Sequence, residues 1–211
     1  MRTDFAFLGV ALAAGLLAWS SVGAQTSAPG AAEAAGTVAS PATSPSSPQA
    51  AVPEPDGYRM DDYRAPVPAT LSGGTVVSVS EAKKLHDEGV PFVDVLPRPP
   101  RPKGLPADTY WHPKPRNDIP GSIWLPDTGY GELAPIMRDY LLSGLDKAVD
   151  GDRSRPVVIY CDRNCWMSYN AAKRAIASGF TGVHWLPEGA QGWEEAGYPL
   201  EPKEPVERPD E

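Results

Sequence analysis

Two cysteines and the residues between them are the part of this chain best suited to do chemistry. Cys161-Asp162-Arg163-Asn164-Cys165-Trp166-Met167-Ser168 follows the apolar run Pro156 to Tyr160 and leads into a helical pattern, Ser168 to Ser178, stopped by Gly179. A run such as PVVIY, without polar alternation, suits a central parallel strand. At a strand-to-helix junction, successive backbone N–H groups can turn toward the first residue, and the helix amino end adds partial positive charge. A thiol held there loses its proton more readily than the ordinary pKa of about 8.5 allows. Cys161 is therefore the candidate nucleophile, as a thiolate or a persulfide. Asp162, Arg163, Asn164, Cys165, Trp166, Met167 and Ser168 form the loop of the expected anion cradle. The same position also suits a buried small apolar residue at a strand end, and residue type alone leaves both readings open.

Other chemistries fit less well. Cys-x3-Cys is neither the Cys-x2-Cys redox motif nor the Cys-x2-Cys-His haem attachment motif. Three His without paired spacing, His86, His112 and His184, and two Cys do not point to a four-ligand metal cage, and no cofactor is assigned. The net charge of −8 disfavours binding to a phosphate backbone. Four residues of helix rise about 6 Å, so Cys161 and Cys165 reach disulfide distance if the loop turns helically.

The elements that position this loop alternate along the chain. Thr75 to Val79 reads as a strand, with Ser80 capping a helix over 81–88 and Gly89 ending it. Phe92 to Leu96 is an apolar strand carrying one carboxylate, Asp94, a supporting residue at the same sheet edge. Pro97 to Pro120 reads as one long Pro-rich loop. Its Pro97–Asn117 part, with Tyr110, Trp111 and His112, is expected to fold over the cysteine loop as a partial lid. Ser122 to Leu125 is a strand, Leu133 to Val149 a helix by its apolar spacing, Val183 to Leu186 the last strand, and 191–196 a short helix. Strand–helix alternation of this kind predicts an α/β fold with a central parallel sheet and helices on both faces.

The ends of the chain differ in texture. Met1 to Ala24 has one Arg, an apolar run of about 15 residues and a small-x-small site at Val22-Gly23-Ala24, the pattern of a cleavable signal peptide. The run is shorter than the roughly 20 residues that span a bilayer. A periplasmic or secreted protein without stable membrane insertion is expected. Residues 25–53 are Ala, Pro and Ser-rich and cannot offset their chain entropy by burial, so they read as a disordered linker. The whole chain holds 25 Pro and 20 Gly among 211 residues, well above the usual share of roughly 12%. Residues 54–73 read as an extended arm, 74–202 as the single folded domain and 203–211 as an acidic tail.

From residue 75 to 202 the order of motifs resembles the rhodanese-like family: a strand ending at Asp94-Val95, then Ile119-Pro120-Gly121-Ser122, the loop at Tyr160-Cys161, and Leu186-Pro187-Glu188-Gly189 followed by Trp193 and Gly197-Tyr198-Pro199. The resemblance implies a single rhodanese-like α/β domain with Cys161 as sulfur-accepting nucleophile, a small sulfur donor and a thiol acceptor. Three departures stand out. Asn117-Asp118 replaces the His that usually precedes Ile-Pro-Gly. Leu96 replaces the usual Arg after Asp-Val, so the family salt bridge is not expected. Met167 stands where a phosphatase-type loop carries Arg, and Met offers no donor to a phosphate. The Cys-x3-Cys-Trp loop, the leader and Tyr58-Arg-Met-Asp-Asp-Tyr-Arg-Ala-Pro66 resemble a narrower group, exported CXXXCW-motif proteins associated with PQQ-dependent alcohol oxidation. That resemblance implies a quinoprotein dehydrogenase system as partner. Three functions follow: sulfur transfer through a persulfide on Cys161 with Cys165 as resolving thiol, thiol–disulfide exchange by the pair, or a non-catalytic partner- or cofactor-binding module. Trp166, inside the loop, is the aromatic expected to face a ligand.

Overall fold

A computed structural model describes residues 52–111 and 115–209. The expected signal peptide, nearly all of the expected linker, and His112 lie outside the described residues.

The first strand, β1 (Thr75–Val76), is shorter than the apolar pattern suggests. Helix α1 (Val79–Asp87) begins two residues early because Ser78, not Ser80, caps it. Ser78 Oγ accepts the Glu81 N–H at 3.3 Å and the Glu81 carboxylate accepts the Ser78 N–H at 2.8 Å. This reciprocal box satisfies two otherwise orphaned donors. Then follow β2 (Phe92–Asp94), β3 (Arg116–Asp118), β4 (Ile123–Trp124), α2 (Pro135–Ala148), β5 (Val157–Tyr160), α3 (Trp166–Ala177), β6 (Val183–Leu186), α4 (Gly189–Glu195) and β7 (Glu201–Lys203).

The main sheet has five parallel strands in the order β1-β6-β5-β2-β4, so β5 is central. Its side chains alternate between two cores. Val157 and Ile159 join a cluster with α2 and α3 residues such as Leu141, Leu145 and Tyr169. Val158 and Tyr160 join a second cluster with Ala82 of α1 and Ala190 and Trp193 of α4. Helices therefore cover both faces, and the lack of polar alternation in β5 follows from burial on both sides.

Strands β3 and β7 correct the sequence reading, which placed both in loop or tail. They pair antiparallel, with Asn117 opposite Pro202. Three-residue strands, one of them containing Pro, have no periodicity to read.

Candidate functional site

The central strand ends at Tyr160 and the chain turns at once into the cysteine loop. Gly189, at the start of α4, holds φ +58°, and a Cβ there would collide with the Cys161 carbonyl. That carbonyl accepts the Ala190 N–H at 2.9 Å, and Asp162 bridges Gly189 in an antiparallel pair. Asn164 takes φ +52° at the loop tip, which Asn tolerates better than most residues. Cys165 then caps α3. The turn brings the two cysteines together with Cα atoms 6.5 Å apart, and they are joined as a disulfide. Cys161 is fully buried and Cys165 only 2% exposed.

In this oxidised form the loop turns carbonyls, not N–H groups, toward the first sulfur. Cys161 Sγ lies 3.7 Å from the Asp162 oxygen and 3.6 Å from the Cys165 oxygen. Two loop N–H groups are otherwise engaged: Trp166 donates to the Tyr63 carbonyl at 2.9 Å and Arg163 to Gln191 Oε1 at 3.3 Å. Arg163 also turns outward to α4, its Nε 2.7 Å from Glu188 and its Nη2 2.6 Å from Glu195.

The rest of the loop is packed. Trp166 is buried rather than turned toward a ligand: its Nε1 donates to the Pro66 carbonyl at 3.1 Å, and the Arg59 guanidinium sits 5.2 Å above its ring. Met167 packs against the backbone of Gly129. Ser168 Oγ donates to the Cys165 carbonyl and accepts the Trp185 indole N–H at 3.0 Å.

Among the described residues it is chiefly the arm that lies on the loop; the long Pro-rich segment meets it at its far end, where Arg116 pairs with Asp162. Arg64 pairs with Cys165 as an isolated bridge and its guanidinium reaches Asp162 at 3.1 Å. Buried Asn170 fixes the arm by accepting the Arg59 N–H and donating to the Arg59 and Gly129 carbonyls. The Pro-rich segment instead contributes its two ends, Pro97 and Pro99 with Pro115 to Asn117, to a cavity of 370 Å³ beside Asp162. Its Trp111 lines a separate cavity of 630 Å³ with Tyr130 and Met137.

The charged centre of the site escaped the sequence reading. Arg116, from β3, sends Nε to Asp94 at 2.7 Å and to Asp118 at 2.9 Å, and Nη1 to Asp162 at 3.0 Å. The ion pair to Asp94 that Leu96 could not supply is thus made by a residue 22 positions downstream. Asp94 is also held locally, accepting the Leu96 N–H at 2.8 Å. Asp118 is fully buried, and because its 2.9 Å contact with Arg116 Nε lacks hydrogen-bond geometry, its two carboxyl oxygens and Arg116 Nη2 are left without a hydrogen-bond partner. Burial, and next to it the Asp94 charge, push the Asp118 carboxyl up to about 9. Burial likewise raises the Tyr160 phenol, whose OH donates to Ser122 and accepts the Ile119 N–H. The one sequence signal for this cluster was Asp118 standing where the family carries His.

The rhodanese-like domain model matches residues 78–196, more than half of the 211-residue chain. The chain belongs to the rhodanese-like domain family. Solved structures similar to it include the rhodanese-like domain of an Anabaena sp. protein, at 17% identity over 64% of this chain and 87% of that one, TM-score 0.40. A Rhodopseudomonas palustris protein described as a possible tyrosine phosphatase matches at 23% identity over 62% and 86%, TM-score 0.40. The polysulfide-sulfur transferase homodimer of Wolinella succinogenes matches at 20% identity over 63% and 81%, TM-score 0.39. No curated protein matches the chain. In this rhodanese-like domain the cysteine loop follows the central strand, as the motif order implies. Among the described residues no helix is long and apolar enough to cross a membrane.

Proposed function

We propose that this rhodanese-like protein is a sulfurtransferase in which Cys161 accepts a sulfane sulfur and Cys165 resolves it. The observation that carries the reading is the Cys161–Cys165 disulfide at the carboxyl end of the central strand. In the reduced protein, the Cys161 thiolate attacks the sulfane sulfur of a donor. The donor's S–S bond breaks, its leaving group keeps the electron pair, and Cys161–S–SH forms. The Cys165 thiolate then attacks Cys161 Sγ, HS⁻ leaves, and the two cysteines become the disulfide. The sulfane sulfur is reduced to sulfide as the thiols are oxidised, and an external dithiol restores the pair. The amino end of α3, next to Cys165, favours thiolate character in the reduced loop.

The leader supports action outside the cytoplasm, where such a disulfide persists. The CXXXCW loop and the arm support a context of PQQ-dependent alcohol oxidation, with a quinoprotein dehydrogenase system as partner. The same disulfide favours a second reading, a thiol–disulfide carrier that never holds sulfane sulfur. Mass spectrometry of the reduced protein after donor addition separates them. In the Cys165→Ser protein, Cys161 gains one sulfur and keeps it; in the native protein, sulfide appears and the pair loses two hydrogens. Cys161→Ser abolishes loading. Disulfide formation with no sulfur ever trapped in Cys165→Ser leaves the carrier reading.

A further inference from the structure

The surroundings of the cysteine loop carry an excess of negative charge, and the cations there are committed. Arg64 and Arg116 both hold Asp162, Arg116 also holds Asp94, and Arg163 holds Glu188 and Glu195. Glu194 stands on the wall of the 370 Å³ cavity that borders Asp162. With Asp118 protonated, five carboxylates, Asp94, Asp162, Glu188, Glu194 and Glu195, face three guanidiniums. Two of the loop N–H groups that could meet an incoming anion, those of Arg163 and Trp166, are already used. About half of the cavity's lining is apolar, one wall of it made by Leu96, Trp124 and Leu200 with three prolines, while Asn117 and Gln191 add neutral polar groups. Its volume falls within the range of small-molecule pockets, roughly 300–1,000 Å³.

From this geometry we infer that the cavity beside Asp162 is the donor subsite, and that it takes an organic sulfane donor of little net negative charge in preference to an inorganic dianion such as thiosulfate. The inference rests on the sulfur-transfer reading above. An apolar wall contributes to binding through the donor's hydrocarbon part. A dianion gains nothing from that wall and must approach through the field of the surplus carboxylates, which slows association.

Three donors with one reacting group and graded charge test it: thiosulfate at −2, methanethiosulfonate at −1, and thiotaurine, a zwitterion of net zero. In each case the Cys161 thiolate takes the terminal sulfur with one proton, the S–S bond breaks, and sulfite or the sulfinate leaves with the electron pair. Loading of the reduced Cys165→Ser protein is followed by mass. The thiosulfate rate is expected to rise severalfold as potassium chloride goes from about 20 to about 300 mM, because screening weakens the repulsion. The thiotaurine rate should stay within about twofold over the same range, since a net-zero donor is steered little. Glu194→Lys, an exposed change at the cavity wall, should raise the thiosulfate rate severalfold relative to the thiotaurine rate. A thiosulfate rate that falls with salt and ignores Glu194→Lys overturns the charge inference while sulfur transfer stands. Failure of all three donors to load Cys161 overturns the sulfur-transfer reading, and this inference with it.

Discussion

Arg116 Nη1 lies 3.0 Å from Asp162 Oδ1, so the residue that follows Cys161 is tied to a guanidinium from the edge of the small second sheet. The same guanidinium holds Asp94, at the end of the neighbouring strand β2. One buried cation thus fixes the loop against the sheet. Burial works against its charge, but Asp94 and Asp162 outweigh that and keep it protonated.

Arg116→Met removes this cation and leaves Asp94 and Asp118 buried without it. An uncompensated buried carboxylate costs about 3–5 kcal/mol. For a domain of this size that lowers Tm by about 10 °C at neutral pH. Thermal melts at pH 7 are the check, and an unchanged midpoint would show that Arg116 does not hold the buried carboxylate.

Asp118 imposes a pH dependence of its own. Its carboxyl titrates near 9 in the fold against an ordinary 3.8. Between those values the folded chain keeps a proton that the unfolded chain releases, so this group's contribution is full below about pH 4 and is lost as pH rises toward 9. Asp118→Asn cannot ionise and removes that loss. Denaturant titrations should find the variant more stable than the native protein at pH 8.5, by about 1 kcal/mol or more. At pH 4 the two should be close. Equal pH profiles would show that Asp118 is ionised in the fold.

Asn170→Ala should loosen the arm. Asn170 makes three hydrogen bonds, two to Arg59 and one to Gly129, and its loss leaves buried backbone groups unpaired at a cost of about 2 kcal/mol. The effect is local to the stretch around Arg59, because the arm keeps other anchors, among them the Trp166 bonds, the Arg64–Asp162 pair, Arg174 over Tyr58 and Tyr63 against Tyr130. Trypsin cleavage after Arg59 or Arg64 should accelerate severalfold, and so should alkylation of the reduced cysteines in the folded protein. Unchanged rates would mean that the arm does not restrict access to the loop.

The parts legible in the sequence are those governed by continuous local signals. PVVIY announced the central strand, and the loop after it located both cysteines at a strand end. Gly89 and Gly179 marked helix stops. Arg116 and Asp118 stayed hidden for a physical reason: their partners, Asp94 and Asp162, lie 22 to 46 residues away in sequence. Nothing in Pro97 to Pro120 distinguishes a strand that closes against 201–203 from a loop that does not. The covering of Trp166 by the arm is equally non-local, because the bond to Pro66 spans 100 positions. The place of Trp166 inside the cysteine loop suggests a ligand-facing aromatic, and only the distant arm shows otherwise.

The site should not hydrolyse phosphate esters, even with both cysteines reduced. Phosphate recognition needs several N–H or guanidinium donors converging on one anion. Here Met167, itself buried, occupies the place of an arginine and offers no donor to a phosphate. Arg64, Arg116 and Arg163 are each held by carboxylates. The surplus of acids around them repels a dianion as it does thiosulfate. The reduced native protein should release p-nitrophenol from p-nitrophenyl phosphate no faster than Cys161→Ser does. Met167→Arg should not create the activity: the new guanidinium would enter a buried position without a carboxylate partner, at a cost of several kcal/mol. It should melt well below the native protein instead. Cysteine-dependent hydrolysis in either protein would mean that the reduced loop rebuilds the cradle which the oxidised loop lacks.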